Sequence, residues 1–277
     1  MLITDITGCA ILHNNVRMPY LGLGVYLAPE GAEVVRAVSY ALRVGYRHID
    51  TATLYQNEKG VGTAIRQSGI KREEVFVTTK VWNTDQGYDS TLKAFDRSLE
   101  ELGFDYLDLY LVHWPVKGKY KDTWKAIETL YKQGRVKAIG VSNFLKHQLL
   151  DLMATAEIVP MVNQMEFHPY LVQQELIDFC LSRHIRYEAW APLMQGRITG
   201  INLLQELARK YNKDPVQIVL RWNLQKGVVT IPKSVTPARI LSNTQLFDFE
   251  LSAEDMRRID GLDKGLRYGA DPDGFDF

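Results

Sequence analysis

The stretch "ELGFDYLDLYLVH", residues 101–113, runs from the end of a helical segment, through one glycine, into a short and almost continuous apolar run. Upstream of it, Leu92, Phe95, Leu99 and Leu102 step by three, four and three residues, the spacing of one helix face. Gly103 stands where the chain must leave that helix, and glycine takes positive φ there at little cost. The same grammar recurs at "RVGYRHID" (43–50), "QSGIKREEVFVTTK" (67–80), "KQGRVKAIGVSN" (132–143) and "QKGVVTIPKS" (225–234). At a sixth junction, "LSRHIRYEAW" (181–190), His184 occupies the glycine place.

The apolar runs are "YRHI", "VFVTT", "YLDLYLV", "VKAIGV", "MVNQM", "IRYEAW" and "VVTI", and residues 21–24 make an eighth. Short apolar strands alternating with helices indicate a parallel sheet covered on both faces. Eight such units in one chain of 277 residues predict an α/β fold, a (β/α)8 TIM barrel, with an open doubly wound sheet as the alternative. Val34, Val38, Ala41 and Leu42 mark a first helix face, and Trp124, Ile127, Leu130 and Tyr131 a later one. Asp214-Pro215 reads as an N-cap followed by proline at the first helical position. Ahead of the first unit, "GCAILHNNVRMP" reads as a β-hairpin turning at Asn14-Asn15 and closing the bottom of the barrel. We see no linker, low-complexity tract or second domain, so residues 1–277 are read as one domain.

Lys plus Arg and Asp plus Glu number 33 each, which gives no support for nucleic-acid or anionic-membrane partners. No stretch approaches the roughly 20 apolar residues of a membrane span, and the N-terminus lacks a secretory pattern. Cys9 and Cys180 fit no zinc or redox spacing, so both are expected as free thiols in a cytoplasmic protein, which we expect to be a monomer.

A barrel of this kind places its working groups at the C-terminal ends of its strands. Those ends carry Asp50, Lys80, His113, Ser142-Asn143, Gln164 with Glu166, Trp190 and Lys233-Ser234. A lysine closing a buried strand must reach water or find an anion. Tyr55 follows Asp50 in the next loop; a phenol with a pKa near 10 needs help to donate a proton, and an ammonium beside it lowers that value. Lys80 can supply the charge, Asp50 can hold Lys80, and His113 can bond a substrate oxygen. The set suits a general acid aimed at a carbonyl, with hydride from a reduced nicotinamide as the matching electron pair. No G-x-G-x-x-G or P-loop is present, so a Rossmann site is not expected. Lys233, Ser234 and Arg239 in "IPKSVTPARI" (231–240) would suit a phosphate monoester. Asn57-Glu58 is read as the start of a helix with no chemical role. A metal-dependent hydrolase using His48, Asp50, His113 and His168 competes, but Lys80 in the same rim would repel a cation, and no metal is expected.

"GYRHIDTATLYQNEKGVG", "VFVTTKVWN", "YLDLYLVHWP", "IGVSNF", "NQMEFHPY", "AWAPL" and "IPKSVTPARI", with the ending "DPDGFDF", resemble the aldo-keto reductase family over nearly the whole chain. The likeness is greatest to short bacterial members of the 2,5-diketo-gluconate reductase and glyoxal or methylglyoxal reductase type. It implies a catalytic tetrad of Asp50, Tyr55, Lys80 and His113, with Tyr55 as acid. It implies that Ser142, Asn143 and Gln164 hold a nicotinamide carboxamide and that Trp190 stacks on the ring. Lys233, Ser234 and Arg239 would bind an adenosine 2′-phosphate, which favours NADPH; Leu193 and Asn243 join the cofactor residues. Tyr26, Trp82 and Trp114, with His113, would line the pocket for a small carbonyl substrate. Three departures stand out. Met194 replaces a glycine common in relatives, Ser242 replaces a glutamate near the adenine, and Tyr26 replaces a frequent tryptophan. Short segments at 117–122 and 194–200 suggest an open pocket. An NADPH-binding regulatory barrel without turnover is the alternative from another class.

Overall fold

A computed structural model describes residues 3–274. Strands β1 (Cys9–Ile11) and β2 (Arg17–Pro19) form the antiparallel hairpin, with Cys9 opposite Pro19. Its turn places Asn15 at φ 70°. Asn14 Nδ2 donates to the Lys137 carbonyl at 2.8 Å, at the start of a barrel strand, and Met18 is fully buried, so the hairpin sits across the N-terminal end of the barrel.

The barrel strands are β3 (Leu23–Gly24), β4 (His48–Asp50), β5 (Phe76–Val81), β6 (Leu107–Val112), β7 (Val136–Ser142), β8 (Val162–Glu166), β9 (Arg186–Trp190) and β10 (Val229–Thr230). All neighbours are parallel, in the order of the chain from β3 to β10. Parallel bridges Leu21 to Thr230 and Gly24 to Lys233 join the first strand to the last and close the ring. β3 and β10 are shorter than their apolar runs. Pro232 has no N–H to extend the ladder, although its carbonyl accepts from Gly24 N at 3.3 Å.

Helices α1 (Ala32–Arg43), α2 (Glu58–Gln67), α3 (Tyr88–Leu102), α4 (Tyr120–Lys132), α5 (Lys146–Met153) and α6 (Gln174–Ser182) follow the first six strands in turn. Both α7 (Asn202–Tyr211) and α8 (Pro215–Gln225) lie between β9 and β10, and α9 (Pro237–Ser242) and α10 (Ala253–Asp260) follow β10. Gly103 leaves α3 at φ 67° and donates to the Leu99 carbonyl at 2.8 Å. His184 does the same work at φ 58°, a conformation that costs a residue with a Cβ more than glycine. Asp214 caps α8 by accepting from Gln217 N at 2.8 Å, with Pro215 next. The apolar face of each strand meets the helices. The inward positions of β4, β5, β8 and β9 carry His48, Asp50, Thr78, Lys80, Gln164 and Glu188, all essentially inaccessible to solvent.

Candidate active site

Strand alternation sends His48 and Asp50 to the same side of β4. Lys80 on β5 is fully buried, and such a lysine needs a partner. It finds three oxygens: Nζ donates to Asp50 Oδ1 at 2.6 Å and to the Thr51 carbonyl at 2.9 Å, and lies 3.5 Å from the Tyr55 hydroxyl. Tyr55 is half-buried, and its ring packs 5.0 Å from Tyr26 and 5.9 Å from His113, centroid to centroid. Trp82 also packs edge-on to His113, at 5.0 Å between centroids. The four residues read from separate stretches thus share one pocket of side chains.

The electrostatics follow from burial. Lys80 is held above its ordinary value: burial works against its charge, but Asp50, Tyr55 and Glu188 outweigh it. Burial pushes the Asp50 carboxyl upward, against the pull of Lys80 and Gln164. His113 falls well below the usual imidazole range, through burial and then Lys80, so the ring is neutral near pH 7. For Tyr55 the balance differs from the sequence expectation of a lowered value. Burial pushes the phenol up to about 12, and Lys80 offsets only part of that. Here desolvation of a phenolate exceeds its attraction to an ammonium 3.5 Å away.

Hydrogen bonds from Gln164 cross the lumen. Gln164 Nε2 donates to Asp50 Oδ2 at 2.7 Å and to Glu188 Oε2 at 2.8 Å. Asn143, at φ 66°, joins three rims: Nδ2 donates to the His113 carbonyl at 3.0 Å and to Ser142 Oγ at 3.1 Å, and Oδ1 accepts from Trp190 Nε1 at 2.9 Å. Ser142 Oγ donates to the Gln164 carbonyl at 2.9 Å. Lys233 and Arg239 are exposed and form no ion pair with a described residue, while Ser234 and Asn243 are buried beside them in sequence. Leu193 is half-buried, Trp114 is buried, and Tyr26 is 49% exposed.

Comparison with known proteins decides the kinship. A model of the aldo/keto reductase family matches residues 21–264. The chain belongs to the aldo/keto reductase family. It is 56% identical over 270 residues to "Glyoxal reductase" of Bacillus subtilis (strain 168), covering 98% of each chain. Among solved structures, MGS-M4, an aldo-keto reductase enzyme from a Medee basin deep-sea metagenome library, superposes with a TM-score of 0.94 at 48% identity, covering 97% of this chain and 100% of that one. A mutant of Gox0644 crystallised in complex with NADPH gives a TM-score of 0.93 at 44% identity, covering 98% of this chain and 99% of that one.

In this aldo/keto reductase the three departures take definite shapes. Met194 is buried at φ 50°, followed by Gln195 at φ 54° and Gly196 at φ 90°, so a side chain sits where the backbone favours glycine. Ser242 Oγ donates to Asp214 Oδ2 at 3.2 Å, tying α9 to the α8 cap. Tyr26 remains an aromatic contact of Tyr55. His168 does not join a metal set with His48, Asp50 and His113; it pairs with Glu166 at 3.0 Å, and among the described residues no three or more His, Cys, Asp or Glu side chains gather as ligands.

Several side chains hold the site together in ways that the sequence does not show. Glu166, on the rim, accepts from Tyr268 N at 2.7 Å and Gly269 N at 3.1 Å, pinning the C-terminal segment against Trp190. A Cβ on Gly269 would lie 2.3 Å from the Trp190 ring. Of the ending "DPDGFDF", residues 275–277 lie outside the described residues. Asn57 is buried and laces loops together, donating to the Val25 and Ala28 carbonyls at 2.9 Å each and accepting from Thr51 Oγ1 at 2.7 Å. Glu58 accepts from Thr79 Oγ1 at 2.6 Å. Glu188 was the legible omission: a carboxylate two residues before Trp190 in "IRYEAW" must share Trp190's side of the strand.

Proposed function

We propose that this reductase converts small aldehydes and ketones to alcohols with NADPH, using Tyr55 as proton donor. The observation that carries the reading is the buried Lys80 ammonium held between Asp50, the Thr51 carbonyl and the Tyr55 hydroxyl. A phenol pushed up to about 12 is fully protonated at neutral pH, which suits giving a proton rather than taking one. As the proton leaves for the substrate oxygen, charge develops on a phenolate facing a fixed ammonium that needs no reorganisation. Neutral His113 retains one N–H to bond the same oxygen, and its buried Nδ1 has no partner among the described residues.

The residues present fit the cofactor. Gln164's amide oxygen accepts no hydrogen bond from a described residue while its Nε2 is doubly engaged, so the oxygen is left to bond a carboxamide. Trp190 is half-buried at the rim, fixed by Asn143, and offers a ring for stacking. Lys233, Ser234 and Arg239 would meet the 2′-phosphate, with Leu193 and Asn243 near the dinucleotide. Bound NADPH would supply the hydride. The likeness to a protein named glyoxal reductase supports small dicarbonyls as first substrates to try. One family match spanning residues 21–264 supports a single catalytic unit, and the free thiols of Cys9 and Cys180 support a cytoplasmic setting.

The test is a carbonyl panel followed by loss of NADPH absorbance, with NADH in parallel. Tyr55→Phe is expected to lower turnover by about 10²–10⁴-fold, the usual worth of a positioned acid, while NADPH still binds. Near-normal turnover in that variant would sink the assignment.

A further inference from the structure

Glu188 is a carboxyl in the barrel interior that the proton-donor set does not use. It is fully buried on β9. Its Oε2 accepts from Gln164 Nε2 at 2.8 Å, and that same nitrogen donates to Asp50 Oδ2 at 2.7 Å. Its Oε1 has no hydrogen-bond partner among the described residues and lies 3.6 Å from His48 Nε2 across the lumen. A single amide therefore links two carboxyl groups, and one ammonium, Lys80, stands within their reach.

The charge count decides what Glu188 does. From β4 it faces His48 and Asp50, and from β5 Lys80. β8 presents the uncharged Gln164, and its other acid, Glu166, is committed to His168 and the C-terminal segment. β10 offers Val229 opposite it and Thr230 beyond. α6 packs behind the strand, where Cys180 faces Tyr187. His48 cannot contribute a positive charge near neutrality, since burial lowers it to about 3. If both carboxyls ionised, the enclosed cluster would hold two negative charges against one positive, in a region that excludes water.

We propose that Glu188 is a positioning residue for Tyr55: it stays neutral while the site donates protons, and by ionising it weakens Tyr55 as an acid. The inference rests on the reductase reading above. Burial, and then the Asp50 charge, push its carboxyl up to about 8, against Gln164 and Lys80. Once ionised, it draws on Lys80, whose field would otherwise serve the phenolate forming on Tyr55. While neutral, it leaves Lys80 to Asp50 and Tyr55 and keeps Gln164 Nε2 turned inward.

Two measurements test this. The infrared spectrum of the unsubstituted protein should show a carboxylic-acid carbonyl band at neutral pH that fades through about pH 8. Its turnover of a carbonyl with NADPH should fall with the same midpoint. Glu188→Gln keeps the shape without the charge; it should lose that band and that step in the pH profile, at unchanged thermal stability near pH 7. Band and turnover midpoints that disagree, a band that survives the substitution, or an identical pH profile in the variant would each overturn the role given to Glu188. An unsubstituted protein that turns over no carbonyl with NADPH would instead overturn the reductase reading itself.

Discussion

Lys80 concentrates the chemistry of the site in one atom. Its Nζ is inaccessible, and the ion pair with Asp50 at 2.6 Å is the condition for a charge at that depth. Breaking such a pair from one side leaves an uncompensated buried charge, which costs about 3–5 kcal/mol, whereas replacing both partners by apolar groups is far less harmful. Lys80→Met is therefore expected to lose about that much stability by denaturant unfolding, and Lys80→Met combined with Asp50→Leu to regain part of it. A double variant less stable than the single would show that the pair is not what sets the cost. At this scale the sequence was informative about residue types. A lysine ending an apolar strand and an aspartate ending the previous one are visible in "VFVTTK" and "RHID". The rise of the Tyr55 phenol was not visible, because it depends on how completely the fold removes water from one oxygen.

The helices and strands were legible because each junction carries its own chemistry. Periodic apolar positions set the helix faces, and a residue at positive φ ended five of them on glycine and one on His184. What the periodicity does not show is how close two elements must come. In α2, a Cβ on Gly62 would lie 1.9 Å from the Leu102 carbonyl oxygen and 2.6 Å from its carbon, the backbone end of α3. Alanine gains up to about 1 kcal/mol in helix propensity there, but overpacking against rigid backbone costs about 1–3 kcal/mol. Gly62→Ala is expected to lower the calorimetric Tm by several degrees while leaving kcat of the folded protein unchanged. A rise in Tm would mean that α2 and α3 separate freely. Asn57, read as a helix start alone, shows the same limit. Its three partners lie in loops after β3 and β4 that are adjacent only once the strands pair.

Closure of the ring brings β4 within reach of β8 and β9, which are not its neighbours in the sheet: Asp50 meets Gln164, and His48 meets Glu188. The polar interior this creates has a consequence for the whole molecule. His48 titrates near 6.5 when unfolded and is lowered to about 3 in the barrel by burial. Its contribution to stability is thus complete above about pH 6.5 and is lost as the pH falls toward 3, because the unfolded chain then binds a proton that the folded one resists. The midpoint of denaturant unfolding should fall across that range, and His48→Asn, if it folds, should flatten the fall. An equally steep acid loss in that variant would assign it to other groups, such as His113.

The sequence by itself determined the number and kind of units, the place of each polar residue on its strand, and the motifs that mark the family. These are local facts: a period, a glycine, an alternation of sides. Only the tertiary structure decided which of those side chains share charge. Gln164 bridging Asp50 and Glu188 and Glu166 turned to the C-terminal segment are both settled by distances of 2.7–3.2 Å between residues 24 to 114 positions apart. Coulomb and desolvation energies depend on those distances and on the exclusion of water, and neither is encoded in any one stretch of chain.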